Sequence, residues 1–168
     1  MKILKFFTSL IIFTIMGVIL LLIIFTPPKC EHREMGKRFS FQSLNSTATS
    51  TIKPYCKNCN HSFGYTRFKG TPDDTSYLEV VCEHSNVDEI IGGEYYTMTA
   101  FVALGDYEFN KTKIICRVEN EDITVAFSVE FRAEFEEEVG VLEEGDEVTF
   151  YGRFYDTGCG FTDCELIN

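Results

Sequence analysis

Between Phe6 and Thr26 the chain reads FFTSLIIFTIMGVILLLIIFT, with no charged residue. As a helix rising roughly 1.5 Å per residue, this run is long enough to cross a hydrocarbon core about 30 Å thick. Whatever folds after it is then tethered. A cleaved signal peptide is the rival reading, since Lys2 and Lys5 form a basic start. The run is long for a secretory h-region, however, no small-x-small site follows, and Pro27 and Pro28 end the helix. TPPK ahead of Cys30 also lacks the small residues that lipoprotein processing needs. The expectation is an uncleaved anchor over residues 1–28.

The formal charge is −11, and residues 1–26 hold two lysines and no acid, so the remainder carries 13 basic and 26 acidic residues, about −13. Such a field disfavours nucleic acid and anionic lipid, whose contacts draw affinity from Lys and Arg. Lys29, Arg33, Lys37 and Arg38 outnumber the basic residues before the run, which argues for an inward-facing domain. The overall acidity argues the other way, and the expectation is a single-pass cell-membrane protein with its domain outside the cytoplasm.

Residues 29–54 show no clear period and include SLNSTATST, a Ser/Thr-rich stretch that reads as a flexible stalk. Residues 55–87 follow as a Cys/His-containing extension. Cys56 and Cys59 form CxxC, and Cys82 with His84 supplies two more ligand types, a set suited to tetrahedral zinc although Cys-x-His is not the usual second half. Disulfides in an oxidising compartment and a redox CxxC pair stay open as alternatives. No helical or strand pattern flanks the CxxC as a thioredoxin-like site requires.

Beyond residue 88 the alternation is that of strands. Tyr96, Met98, Ala100, Val102 and Leu104 share one face, then Ile114, Cys116 and Val118, then Ile123, Val125, Phe127 and Val129. Phe131, Phe135, Val139 and Leu142 recur at helical spacing among glutamates, predicting a helix. Val148, Phe150 and Phe154 form a fourth strand and residues 161–167 a fifth. Three strands, one helix and two strands make the chain order of a five-stranded OB-fold Greek-key barrel. The predicted class is mainly β, with the transmembrane helix in front.

EEGDEVTFYGRF followed by CGFTDCELI resembles the close of the tRNA_anti-like OB-fold family, where a Gly-Asp turn leads to a V-T-x-x-G strand and a last strand carries a cysteine before x-I. The resemblance covers roughly residues 88–168. It implies a binding module of the kind found in secreted or membrane-attached bacterial proteins, without catalysis, and leaves the CxxC block of residues 52–86 unexplained.

On an OB barrel the ligand meets the outer face of the second and third strands and the adjoining loops. That points to Tyr107, Phe109, Lys113, Arg117, Tyr151, Arg153 and Tyr155. His32, His61 and His84 are the only histidines and all precede the barrel, so no catalytic residues are expected. Cys159 and Cys164, flanking a tight turn, are expected to pair as a disulfide outside the cytoplasm. The resulting expectation is a membrane-tethered, non-enzymatic OB-fold module that binds a protein, peptide or glycan. The alternative is a cytoplasm-facing, zinc-stabilised module engaging nucleic acid or a membrane complex.

Overall fold

In the computed structural model the described residues are 16, 30–44, 47–104, 112–155 and 158–167. The anchor expected over residues 6–26 lies outside them except for Met16, as do Tyr107 and Phe109. Among the described residues no helix is long and apolar enough to cross a membrane. Residues His32–Asn168 form one compact unit.

Among its described residues are eight strands and two short α-helices. They are β1 (Met35–Leu44), β2 (Thr47–Cys56), β3 (Thr66–Lys69), α1 (Ser76–Ser85), β4 (Tyr95–Leu104), β5 (Lys113–Glu119), β6 (Ile123–Phe131), α2 (Glu136–Val139), β7 (Glu147–Tyr155) and β8 (Gly160–Ile167). Strands β4, β5 and β6 meander antiparallel, β7 returns beside β4, and β8 lies between β7 and β6, parallel to β6. The last pairing closes a five-stranded barrel. The predicted mainly β class and the closed barrel are therefore observed, and the connectivity is consistent with an OB-like fold.

The alternation read from the sequence sets the two sides of the barrel wall. Met98, Ala100 and Val102, Ile114 and Val118, Val125, Phe127 and Val129, and Val148, Phe150 and Phe154 all point inward and are buried. Phe161 of β8 sits among rings: its centroid lies 5.7 Å from Phe127, 5.1 Å from Phe150 and 5.4 Å from Phe154, mostly edge to face. A phenylalanine-rich sequence without tryptophan fills a narrow barrel this way.

Three features depart from the sequence reading. Residues expected to form a flexible stalk build β1 and β2, an antiparallel hairpin in register from Met35↔Cys56 to Leu44↔Thr47. Phe39 and Phe41 alternate with polar neighbours and are buried, so Ser40, Thr49 and Thr51 fall on the outward half of a strand pattern. Strand β1 then runs parallel to β6, from Lys37↔Ile123 to Ser40↔Ala126. The edge of β6 is thus shared, with β1 on its first half and β8 on its second.

The helix expected over residues 131–142 is cut down to a 3-10 turn at Ala133–Phe135 and the four residues of α2. Phe131 belongs to β6 instead. The longer helix, α1, comes before the barrel and was not expected. Its Tyr77, Val80 and Val81 are buried against β4, β5 and β6, and Tyr77 meets Phe39 at 5.4 Å and Phe41 at 4.8 Å.

The start of α1 is pinned by Asp74. Its Oδ1 accepts the Ser76 N–H at 3.1 Å and the Ser76 hydroxyl at 2.6 Å, while Oδ2 takes Lys37 Nζ at 2.6 Å. Lys37 first, and then Ser76, hold this carboxyl below its ordinary 3.8. Because the folded state favours the charged form, the stabilisation is complete above the unfolded value and is lost as pH falls through the folded one. Asp74→Ala is expected to cost about 1 kcal/mol at neutral pH. In urea titrations the difference from the parent protein should shrink below pH 3.8; a difference that stays constant into acid rules out this role.

Candidate functional site

Four ligand-type side chains converge where β2 ends. Cys56, the last residue of β2, is buried, and the chain turns through Lys57, Asn58 and Cys59. Asn60 closes the turn: its N–H donates to Cys56 O at 2.8 Å, and its φ of 59° lies in the left-handed region that Asn tolerates. The return strand is held by Cys56 N–H to His61 O at 2.9 Å and Phe63 N–H to Pro54 O at 3.0 Å. Both CxxC sulfurs consequently sit on one hairpin tip.

A segment leading into β1 lies over this tip, joined by Lys57 N–H to Glu34 O at 3.1 Å. It brings His32, whose Nδ1 is 3.5 Å from Cys59 Sγ. His32 has a φ of 51°, and its ring packs 5.5 Å from His61 and edge-on 5.0 Å from Phe63. Cys30, two residues earlier, completes the group: the ligand atoms of Cys30, His32, Cys56 and Cys59 all lie within 4.8 Å of one another. Such a cluster can hold a metal ion.

The group that could hold a metal therefore differs from the set expected. Cys56 and Cys59 belong to it, but their partners are Cys30 and His32 rather than Cys82 and His84. The latter two ride on α1, where His84 Nδ1 lies 2.9 Å from Val80 O one turn back. Burial pushes the Cys82 thiol up. Cys-x-His precedes Cys-x-x-Cys, and the pairing is hidden in sequence because β1 and β2 run out and back between the halves.

Cys159 and Cys164, expected to be linked, are separate buried thiols. Burial pushes both up, Cys164 to about 12. Cys164 lies against Gly152, Cys159 lies in the turn before β8, and both belong to the buried core.

The expected ligand face of the barrel is only partly available. Tyr155 turns in and shares a 2.6 Å hydrogen bond with Ser128 Oγ. Arg153 Nε donates to Gly93 O at 3.1 Å. Arg117 is half-buried, and its buried Nε finds no hydrogen-bond partner among the described residues. Lys113 is half-buried at the start of β5. Tyr151 is exposed and stacks on Tyr95 at 5.4 Å. Tyr95 Oη donates to Asp163 at 2.5 Å, and Arg132 Nε reaches the same carboxylate at 2.7 Å. Sequence reading passed over Tyr95, Arg132 and Asp163, which come together near Tyr151 through the β4–β7 and β7–β8 pairings and the Arg132 N–H to Cys164 O bond.

The more concentrated cationic surface is elsewhere. On β1–β3 the register places Arg38 opposite Lys53, and Thr51 opposite both Ser40 and Arg67, with Lys69 opposite Thr49. Strand alternation puts these on the face away from Phe39 and Phe41. A shallow hollow of about 290 Å³ there is lined by Ser40, Thr51, Lys53, Tyr65 and Arg67. Arg38 lies 4.0 Å over the Tyr55 ring and Arg67 5.9 Å from that of Tyr65. Residues 30–69 hold seven basic and two acidic residues, +5, whereas residues 70–168 hold five and 24, −19. Counting charge by segment rather than over the chain reveals the divide. No family model matches the chain, and no curated protein or solved structure matches it.

Proposed function

We propose that the protein is a non-enzymatic, membrane-tethered interaction module, anchored through residues 6–26. In this reading the outer face of β1–β3 rests on anionic headgroups, and the acidic OB-like barrel is presented to a soluble protein partner. The observation that carries it is the charge divide: Arg38, Lys53, Arg67 and Lys69 share one sheet face, while the following 99 residues carry −19. An anionic surface attracts one end of such a molecule and repels the other, so it orients as well as binds. Each Lys or Arg near an anionic leaflet contributes about 1 kcal/mol. Four together favour the bound orientation by roughly a thousandfold.

Chain distance supports the same arrangement. Met35, the first residue of β1, follows Thr26 by nine residues, at most about 30 Å of chain. Orientation is set by basic residues close to the span rather than by total charge. Lys29, Arg33, Lys37 and Arg38 then favour the cytoplasmic side, opposite to the expectation drawn from net acidity, and the anionic leaflet is also the cytoplasmic one. On the barrel, the exposed Tyr95–Tyr151 pair offers a protein partner a ring platform of the kind that dominates interface energetics.

Residues 30–168, prepared without the apolar run, should co-float with vesicles containing phosphatidylserine and not with phosphatidylcholine alone. Binding should fade as salt rises. Lys53→Glu with Arg67→Glu should abolish it, and Tyr151→Ala should leave it unchanged. Equal flotation on neutral vesicles defeats the proposal. Tighter binding to single-stranded oligonucleotides, lost in the same double variant, would instead support the nucleic-acid alternative.

A further inference from the structure

We propose that Cys30, His32, Cys56 and Cys59 bind one zinc ion in a closed, four-coordinate structural site. Tetrahedral zinc with Zn–S bonds of about 2.3 Å and a Zn–N bond of about 2.0–2.1 Å needs ligand atoms about 3.5–3.8 Å apart. The observed 3.5 Å from His32 Nδ1 to Cys59 Sγ has that length, and the whole set lies within 4.8 Å. Three sulfurs and one imidazole are the donor chemistry that selects a borderline-soft ion over magnesium or calcium.

The backbone around the group is arranged for a ligand cage. His32 and Asn60 both sit at positive φ, 51° and 59°. Non-glycine residues hold that conformation where surrounding structure requires it, and such positions cluster at sites. At His32 it turns the ring back toward Cys59; at Asn60 it lets the chain reverse directly after the second cysteine. The tip is clamped from outside. Lys57 pairs with Asp122 in the β5–β6 turn, and Arg38 donates to Asn60 Oδ1 at 3.0 Å. His61 and Phe63 pack on the His32 ring, fixing its plane.

The consequence is a staple. Cys30 and His32 lie on the segment entering β1, Cys56 and Cys59 on the hairpin tip, and β1 and β2 bridge the two. Zinc at this point closes the open end of the hairpin that carries the cationic face, and ties it beside Asp122 of the barrel. With four protein ligands no coordination position remains for substrate, which makes the site structural rather than catalytic. Binding requires three thiols to lose their protons and the imidazole to be neutral, so it releases protons to solvent and weakens in acid. Any two of these cysteines could alternatively be oxidised to a disulfide, which would remove both as ligands.

The test uses the full chain in detergent, purified under reducing conditions without chelator. Elemental analysis should find one zinc per chain after exhaustive dialysis. Cobalt(II) exchange should give the visible d–d bands of tetrahedral thiolate coordination, and zinc addition to the metal-free chain should release protons. Stripping the metal with a strong chelator should lower the unfolding midpoint by roughly 10 °C, restored by zinc and not by magnesium. Cys59→Ser should lose the metal. Cys59→His, which keeps four ligands, should retain it with a shifted cobalt spectrum, so loss of binding is separable from loss of fold. Cys82→Ser and His84→Ala should retain it unchanged. A metal-free reduced chain that takes up neither zinc nor cobalt overturns the proposal, as does metal loss in Cys82→Ser with retention in Cys59→Ser, or a disulfide between any two of the three cysteines in protein taken from its own membrane.

Discussion

Alanine at Gly160 is expected to part the seam that closes the barrel, with a loss of roughly 3 kcal/mol or more. Gly160 is the first residue of β8 and pairs with Ser128 across the parallel β6–β8 contact. A Cβ there would lie 2.5 Å from Tyr155 Oη and 2.8 Å from Ser128 O. The second neighbour is backbone, so it moves only if the strands separate. The first is the phenol bonded to Ser128 Oγ at 2.6 Å, in a setting where burial already pushes the phenol pKa up. Displacing the ring therefore also leaves a hydroxyl without its partner. Tyr155→Phe alone should cost only about 1 kcal/mol. Combined with Gly160→Ala it should recover the part of the loss due to the hydroxyl and leave the part due to Ser128 O and to the ring carbon Cζ, which phenylalanine keeps at 2.7 Å. A thermal midpoint lowered by roughly 10 °C or more is expected for Gly160→Ala, read by circular dichroism. A change within about 0.5 kcal/mol would mean that β8 can shift without loosening the barrel, and that the seam is not rigid.

The barrel was legible because its strands are half-buried and alternate cleanly. Lys113 to Glu119 and Glu147 to Tyr155 each carry a buried residue at every second position. The same physics wrote β1 and β2, but there the inward face mixes the buried Phe39, Phe41, Ser50 and Cys56 with a partly buried Ile52, and the outward face holds Ser40, Thr49 and Thr51 beside Arg38 and Lys53. Composition then overrode period. For α1 the pattern Tyr77, Val80, Val81 is present at i, i+3 and i+4, yet a single apolar stripe of three residues within ten is weak until Phe39 and Phe41 are known to face it. The helix after β6 failed for the opposite reason: Phe131 kept helical spacing with Phe135 while its backbone continued the strand. The candidate metal group was half legible. CxxC is local, whereas Cys30 and His32 reach it only through a hairpin that was itself unread.

Those unread elements bear on where the folding unit begins. A fragment spanning residues 88–168 holds all five barrel strands, and the sequence alone suggests that it stands by itself. It is expected not to fold. Removing residues 30–87 strips β1 from Ile123–Ala126 of β6, leaving that half of the strand as an open edge in a barrel otherwise closed. It also removes Phe39, Phe41, Tyr77, Val80 and Val81, five buried side chains of the shared core. At about 2 kcal/mol each their burial stabilises the unit by on the order of 10 kcal/mol, as large as the whole net stability of an ordinary domain. Residues 30–168 should therefore unfold in one cooperative denaturant transition, while 88–168 should lack near-ultraviolet dichroism and expose amides on β6 to rapid exchange. A single cooperative transition in the short fragment, with β6 amides protected, would show the barrel to be autonomous and the hairpin with α1 to be an appendage. Val80→Asp in residues 30–168 distinguishes these without deletion. If the core is shared, a charge placed under α1 should destabilise the barrel as well as the helix, and β6 and α1 should lose exchange protection together. Coupling of that kind would make the cationic face and the barrel one rigid body, which is what a module must be if binding on one side is to aim the other.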